Sequence, residues 1–297
     1  MSVAEMPVTD ASLPLFLASF PKSGNTWFRL LLANLKFRSA APVRINSPFD
    51  RAAAFVTREE FDDLTLVASG LLTGDEVDSL RAAVLPAIAS AASPFTWFKT
   101  HEAWRLTPSG TPCFAGAGRA AVYIVRDPRD VAVSLAHHGN VSIDQAIGFM
   151  NNPEATMARS GTRQNRQLRQ KICAWSTHVK SWLDQKDIPV YCVRYEDLKR
   201  DTAAVLAAAL GFAGQEASRE DIDRAVAHSD FSVLRKQEET VGFRERMSIT
   251  APFFRRGQAG AWRDELTAEQ CARIEAAHRQ VMMRLGYMTP TEADPVR

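Results

Sequence analysis

The stretch Leu15-Phe16-Leu17-Ala18-Ser19-Phe20-Pro21-Lys22-Ser23-Gly24-Asn25-Thr26-Trp27 decides how the chain is read. Its first half is a short apolar run stopped by Pro21. From Thr26 to Phe37 the residues Trp27, Leu30, Leu31 and Asn34 recur at helical spacing. The unit reads strand, tight loop, helix. In such a unit the loop N–H groups and the helix N-terminus converge on one spot, where partial positive charge favours an anion. Gly24 permits close backbone approach, Lys22 adds a full charge, and Ser23 and Thr26 add hydroxyl donors. The lysine precedes the glycine and Gly-Lys-Ser/Thr is absent. The loop is therefore not a Walker A, which argues against binding of an ATP–magnesium complex.

Outward from this loop the same alternation repeats. Phe95 to Phe98 and Ala120 to Val125 are short and apolar, and after Asp127-Pro128 the residues Val131, Ser134, Leu135 and His138 share a helical face, with Asp127 as cap. Leu168, Ile172, Trp175, Val179 and Trp182 recur three or four apart, so the spacing predicts one long helix over Arg166 to Asp184, feeding a strand at Pro189 to Val193. Asp201 to Leu210, Ser218 to His228 and Thr267 to Leu285 also read as helices. Short strands apolar on both sides, alternating with helices, indicate an α/β fold: a central parallel sheet flanked by helices on both faces. No internal repeat or Gly/Ser linker divides the 297 residues, so residues 1–297 are read as one domain with 1–12 flexible. The polar stretches Asn151 to Gln164 and Glu238 to Phe253 are long for connections and are expected to be lids. With residues 40–90 they are read as lid or pocket-lining segments.

Composition narrows the partners. Lys plus Arg (36) against Asp plus Glu (34) leaves +2, too near balance for a protein that coats nucleic acid or a membrane surface. An anionic ligand must be met by a local cluster. Cys113, Cys173, Cys192 and Cys271 show no paired metal spacing and read as reduced thiols. The first ten residues hold two acidic groups and no basic one, and no uninterrupted apolar stretch approaches the roughly 20 residues of a membrane helix. A cytoplasmic protein is expected.

Four segments then resemble one family. Phe20 to Trp27 is similar to the 5'-phosphosulfate loop of the cytosolic-type sulfotransferases, which use 3'-phosphoadenosine 5'-phosphosulfate (PAPS) as donor. Tyr123-Ile124-Val125-Arg126-Asp127-Pro128-Arg129-Asp130-Val131-Ala132-Val133-Ser134 resembles the family's 3'-phosphate segment. Pro252-Phe253-Phe254-Arg255-Arg256-Gly257-Gln258-Ala259-Gly260-Ala261-Trp262 resembles its late glycine-containing loop, and Val193 to Leu198 the segment in which a tyrosine touches adenine. They stand in family order and span most of the chain.

The resemblance implies a P-loop-like domain that binds PAPS and releases 3'-phosphoadenosine 5'-phosphate (PAP), with no metal required. It implies that Lys22, Ser23, Gly24, Asn25 and Thr26 hold the 5' end of the donor. Arg126, Ser134, Arg255, Arg256 and Gly257 would hold the 3'-phosphate, a task for which a forked guanidinium is suited. Trp27, Tyr195 and Phe231 would line the adenine pocket. Ala261 stands where an acidic residue is common before the tryptophan, which removes any loop hydrogen bond that side chain would make.

Sulfuryl transfer is treated like phosphoryl transfer, in which the protein positions and neutralises. Lysines would then supply the charge that magnesium gives a kinase. Lys22 would neutralise the bridging oxygen, with Ser23 holding that lysine back until an acceptor arrives, and Lys99 would face the transferred oxygens. The acceptor hydroxyl needs a base, and His101, in Phe98-Lys99-Thr100-His101 directly after a strand, is the candidate among six histidines. The reading is sulfuryl transfer from PAPS to a hydroxyl, or secondarily an amine, of a small molecule. A P-loop small-molecule kinase and a noncatalytic nucleotide-binding protein are the alternatives. Phe49, Phe55, Trp97, Phe98, Trp104 and Phe149 hint at an apolar or aromatic acceptor. Cytosolic sulfotransferases are often dimers, so a homodimer is compatible with the resemblance.

Overall fold

Strand β1 (Leu15–Ser19) is fully buried, as its run of apolar and small residues requires, and delivers the chain into helix α1 (Asn25–Phe37). A computed structural model describes residues 12–47, 57–93, 96–114, 116–158, 167–247 and 251–289. Phe49 and Phe55 lie outside them, as do most of residues 1–12. Next come α2 (Arg58–Thr65), α3 (Gly74–Ala91), β2 (Trp97–Thr100) and β3 (Ala120–Val125). They are followed by α4 (Pro128–Gly139), α5 (Ile143–Asn151), β4 (Thr156–Met157), β5 (Gln170–Lys171) and α6 (Trp175–Leu183). The remainder is β6 (Val190–Arg194), α7 (Tyr195–Arg200), α8 (Thr202–Phe212), α9 (Arg219–His228), α10 (Phe231–Val241) and α11 (Ala268–Arg284).

The main sheet runs β2-β1-β3-β6 with every pairing parallel. Alternation along the strands separates two cores. Phe16 and Ala18, with Phe98, Tyr123 and Val125, pack against α6 residues Trp175, Val179 and Trp182 and α11 residues Ile274 and Val281. Leu15 and Leu17, with Val122 and Ile124, pack against Phe28 and Leu31 of α1, Leu206 of α8 and Ile222 of α9. The α/β fold class read from the sequence is the one observed. Each large side chain so buried contributes about 1.5–3 kcal/mol, and the carboxyl ends of four parallel strands are thereby fixed at one edge.

Four expectations change. The helix expected over Arg166 to Asp184 is only its second half: Gln170 and Lys171 form β5, paired antiparallel with β4, and the N–H groups of Ile172 and Cys173 both reach Ala155 O, at 2.8 and 3.1 Å. Cys173 has φ of 60°, which stops a helix from extending backwards. Leu168 mimics the helical period because it is buried, but it packs in a separate cluster with Phe61 and Val77. Secondly, the sequence reading assigns no helix to residues 74–91, and α3 forms there with Pro86 inside it; a capping box of Thr73 and Glu76 starts the helix. Thirdly, β2 lies two residues later than the apolar run predicts, pairing Leu15 with Trp97 through Ala18 with Thr100. Lys99 thus belongs to the strand, and His101 is the first residue after it. Lastly, the stretch from Glu238 begins inside α10, and Glu238 is buried, accepting from the N–H groups of Phe253 and Phe254 at 2.6 and 2.8 Å. A carboxylate so used fastens this segment.

Among the described residues no helix is long and apolar enough to cross a membrane. Cys113, Cys173, Cys192 and Cys271 form no disulfide.

Candidate functional site

A cavity of about 900 Å³ opens at the carboxyl edge of the sheet, where the loops after β1, β2 and β3 meet α4, α10 and the 251–261 segment. Its first wall is the loop after β1. Lys22 and Gly24 take left-handed φ values of 68° and 107°, turning the chain sharply into α1. Gly24 is required twice over, because a Cβ there would also stand 2.7 Å from Cδ2 of Tyr195. Ser23 is fully buried, and its Oγ has no hydrogen-bond partner among the described residues. It makes no hydrogen bond to Lys22. The Lys22 ammonium instead lies 3.9 Å from the centroid of the Phe253 ring, a contact that stabilises a cation without neutralising it. Asn25 turns back onto β1, donating to Leu17 O and Ser19 Oγ, both at 3.2 Å.

A second wall follows β3. Arg126 stacks on the Tyr195 ring, its guanidinium carbon 4.4 Å from the centroid, and donates to the carbonyls of Gln258 at 2.9 Å and Lys22 at 3.4 Å. Its buried Nε has no partner among the described residues. Ser134, farther along α4, also lines the cavity. The late loop is held by Asp130, which accepts from the N–H groups of Gly260 at 2.6 Å and Trp262 at 2.9 Å. That carboxylate anchors the loop from across the cavity mouth, so Ala261 leaves it supported. Arg255 and Arg256 line the cavity while paired to Glu265 and Asp264 at 2.7 and 3.2 Å. Gly257 packs so tightly on Phe231 that a Cβ would collide with the ring. Trp27, Tyr195 and Phe231 share this end of the cavity; Trp27 meets Tyr195 edge-on at 6.0 Å and donates from Nε1 to Ser229 O at 2.9 Å.

The third wall carries the titratable groups. His101 Nδ1 is 2.8 Å from Ser19 O. A carbonyl can only accept, so Nδ1 bears the hydrogen and Nε2 keeps a free lone pair. Burial and then the neighbouring Lys99 charge hold this imidazole well below its usual pKa, so it is neutral around pH 7. Burial pulls Lys22 down to about 7, opposed by Glu245 and reinforced by Arg126. Burial pulls Lys99 down to about 8, reinforced by Arg29 and opposed by Glu245.

Sequence reasoning misses Glu245 and Arg29. Glu245 accepts from Thr26 Oγ1 at 2.9 Å and from the Arg29 guanidinium, so a carboxylate from the segment after α10 sits among the cations of the loop. Arg29 lies one turn into α1 on the face of Thr26, which helical spacing alone reveals; nothing local in the sequence points Glu245 there. His138 also lines the cavity, edge-on to Phe253 at 5.6 Å, with its pKa lowered to about 4 by burial and then by Lys22. Of the aromatics marked for an acceptor, Phe149 lines the cavity, whereas Trp97, Phe98 and Trp104 are core. Among the described residues no group of three or more His, Cys, Asp or Glu side chains is placed to hold a metal ion.

Comparison with known proteins agrees with this geometry. The family model described as "Sulfotransferase domain" matches residues 13–286. Sulfotransferase 2B1 of Homo sapiens is 23% identical, over 99% of this chain and 73% of its own length. Sulfotransferase 1 family member D1 of Rattus norvegicus is 24% identical, over 88% of this chain and 80% of its own. Among solved structures, retinol dehydratase in complex with androsterone and inactive cofactor PAP aligns with a TM-score of 0.56 and 21% identity, covering 95% of this chain and 82% of that one. Mouse sulfotransferase SULT7A1 complexed with PAP aligns with a TM-score of 0.54 and 18% identity, covering 93% and 86%. At these identities the structural likeness establishes the fold.

The lysine environment yields a direct test. In Glu245→Gln the opposing negative charge is lost, so the Lys22 and Lys99 midpoints should both fall, by roughly half a unit or more. Titration of the lysine Cε methylenes by NMR reads both, and unchanged midpoints would contradict the geometry.

Proposed function

The chain belongs to the sulfotransferase-domain family, and from that premise we propose that it transfers a sulfuryl group from PAPS to a hydroxyl of an apolar small molecule, with His101 as the base. The observation that carries this reading is the convergence of Lys22, Lys99, Arg29 and Arg126 on one cavity, with Glu245 among them and a buried, unpartnered Ser23 hydroxyl beneath. Four cations face this cavity against the single carboxylate of Glu245, a balance suited to a multiply charged anion. Its lysines are depressed first by burial and then by the neighbouring arginines, and a multiply charged anion would offset both effects.

The residues fit the donor. The Lys22–Thr26 loop would hold its 5' end, with Arg126, Ser134, Arg255, Arg256 and the open backbone at Gly257 around the 3'-phosphate and Trp27, Tyr195 and Phe231 around the base. Bound PAPS supplies the activated sulfuryl group and a stable leaving nucleotide. Lys22 would donate a hydrogen bond to the oxygen that gains charge as the bond to the nucleotide breaks, and Lys99 would do so for the oxygens of the transferred group. His101 Nε2 accepts the hydroxyl proton, while its Nδ1–H stays on Ser19 O and fixes the ring. With the Lys99 charge offset by a bound anion, the imidazole would become more basic, toward the range a general base needs. Phe149, Val141, Met157 and Phe253 line the side of the cavity nearer α5 and favour an apolar acceptor. The androsterone and retinol bound in neighbouring structures support the same class. A cytoplasmic setting completes the reading, supported by four thiols without a disulfide.

His101→Ala should lower turnover of PAPS to PAP by about 10²–10⁴ and leave PAP affinity within a few-fold of wild type, since a base acts on the acceptor. Wild-type turnover would reject the assignment. Arg126→Ala should weaken PAP by about 10- to 100-fold and adenosine 5'-phosphosulfate far less, as loss of a charged hydrogen bond to a 3'-phosphate predicts. Calorimetry with the two nucleotides separates them, and equal losses would place Arg126 elsewhere.

The lysines give a pH dependence with a definite sign. Binding of an anion raises both lysine pKa values, so PAP binding near pH 8 should take up protons and should weaken as pH rises from about 7 to 9. Calorimetry in buffers of different ionisation enthalpy measures the uptake; proton release, or affinity rising with pH, would contradict it.

A further inference from the structure

The pairing of β2 with β1 ends at Thr100, so the His101 carbonyl lies just past the ladder, where a backbone acceptor has no strand partner. It is taken instead by His178 of α6, whose Nε2 is 3.0 Å away. The other ring nitrogen, Nδ1, lies 2.8 Å from Tyr123 Oη. The carbonyl end of this chain sets the protons in it. The His101 carbonyl only accepts, so the neutral His178 ring bears its hydrogen on Nε2; Nδ1 then holds a lone pair, and Tyr123 donates to it. Both side chains are fully buried, and His178 packs edge-on to Phe20 at 5.4 Å.

Neither residue reaches the cavity, and a core position of this kind is cheaper to fill with an apolar side chain. The polar pair has one visible output: it holds the backbone carbonyl of the residue that carries the proposed base. The same helix also fixes the residues that follow. Trp182 Nε1 donates to Glu102 O at 2.9 Å, and Ser181 Oγ accepts from the Trp104 N–H at 3.0 Å. One face of α6 thus grips the backbone from His101 to Trp104.

We propose that His178, held in a single neutral tautomer by Tyr123, is a positioning residue for His101, fixing the peptide that sets its ring against Ser19. This rests on reading His101 as the base, but its test does not use turnover. In the full-length protein with selectively ¹⁵N-labelled histidine, the His101 Nδ1–H should give a signal protected from solvent exchange, with the ring in the Nδ1–H tautomer. His178→Phe removes the donor to the His101 carbonyl at similar volume. It should speed exchange of that proton by tenfold or more and mix the tautomers, with PAP affinity by calorimetry unchanged within about twofold. His178→Gln, whose amide can donate to His101 and accept from Tyr123, should restore protection. A folded His178→Phe that binds PAP and keeps wild-type His101 protection would overturn the proposal, as would failure of the glutamine rescue. Should the phenylalanine variant not fold, the decision passes to Tyr123→Phe, which removes only the hydroxyl. Faster His101 exchange there supports the relay, and unchanged exchange overturns it. If His101→Ala kept full turnover, the base assignment would fall while these NMR outcomes still stood, so the two failures are distinguishable.

Discussion

Positive charge crowded into one half-buried cavity at the edge of a parallel sheet is the constraint from which the rest of this molecule follows. Lys22, Lys99, Arg29 and Arg126 are brought together by the ends of β1, β2 and β3 and the start of α1, and the lysines respond by losing protons far more readily than lysine does in water. The sign of this effect on stability is definite. Between about pH 7 and the lysines' ordinary 10.5 the unfolded chain binds more protons than the folded one, so these groups make folding less favourable at the acid end of that window. Sites that bind anions are where such strain is retained, because the ligand removes it. Glu245 relieves part of it in the structure as it stands, and by doing so it sits where an incoming anion must be accommodated.

The scaffold bears this strain because the two faces of the sheet are secured independently. Trp104, Phe114, Trp182 and Phe16 meet edge to face or tilted on one side of the sheet, and Arg81, Arg105 and Arg169 converge on Asp78 and Glu102 next to His101. The buried charges pair with one another, and removing one would strand its partners. With α6 holding the carbonyls of His101 and Glu102, the strand end that carries the proposed base is more firmly held than the loops usual at such an edge.

How much of this the residues disclosed depended on range. The loop around Gly24, the Asp127 cap and the strands β1 and β3 are local facts, written in turn chemistry and apolar runs, and they were legible. The backbone between Leu168 and Cys173 was not, because a buried residue every three or four positions is also what a hairpin strand and a loop packing against different clusters produce. Helix α3 was hidden by Pro86, whose penalty the capping box and tertiary packing override. Glu245, more than 200 residues from Thr26 and Arg29, left no mark in the sequence near either, and neither did Asp130 as the anchor that makes Ala261 tolerable. Resemblance of motifs supplied the donor; only the assembled edge shows which charges share a cavity and which carbonyls His101 and His178 face.

The measurement closest to the centre of this account is calorimetric titration of the purified protein with PAP in buffer containing a metal chelator. The account predicts one site of micromolar or tighter affinity that persists without divalent cation and weakens with rising ionic strength. No detectable binding, or binding that appears only when magnesium is added, would contradict it.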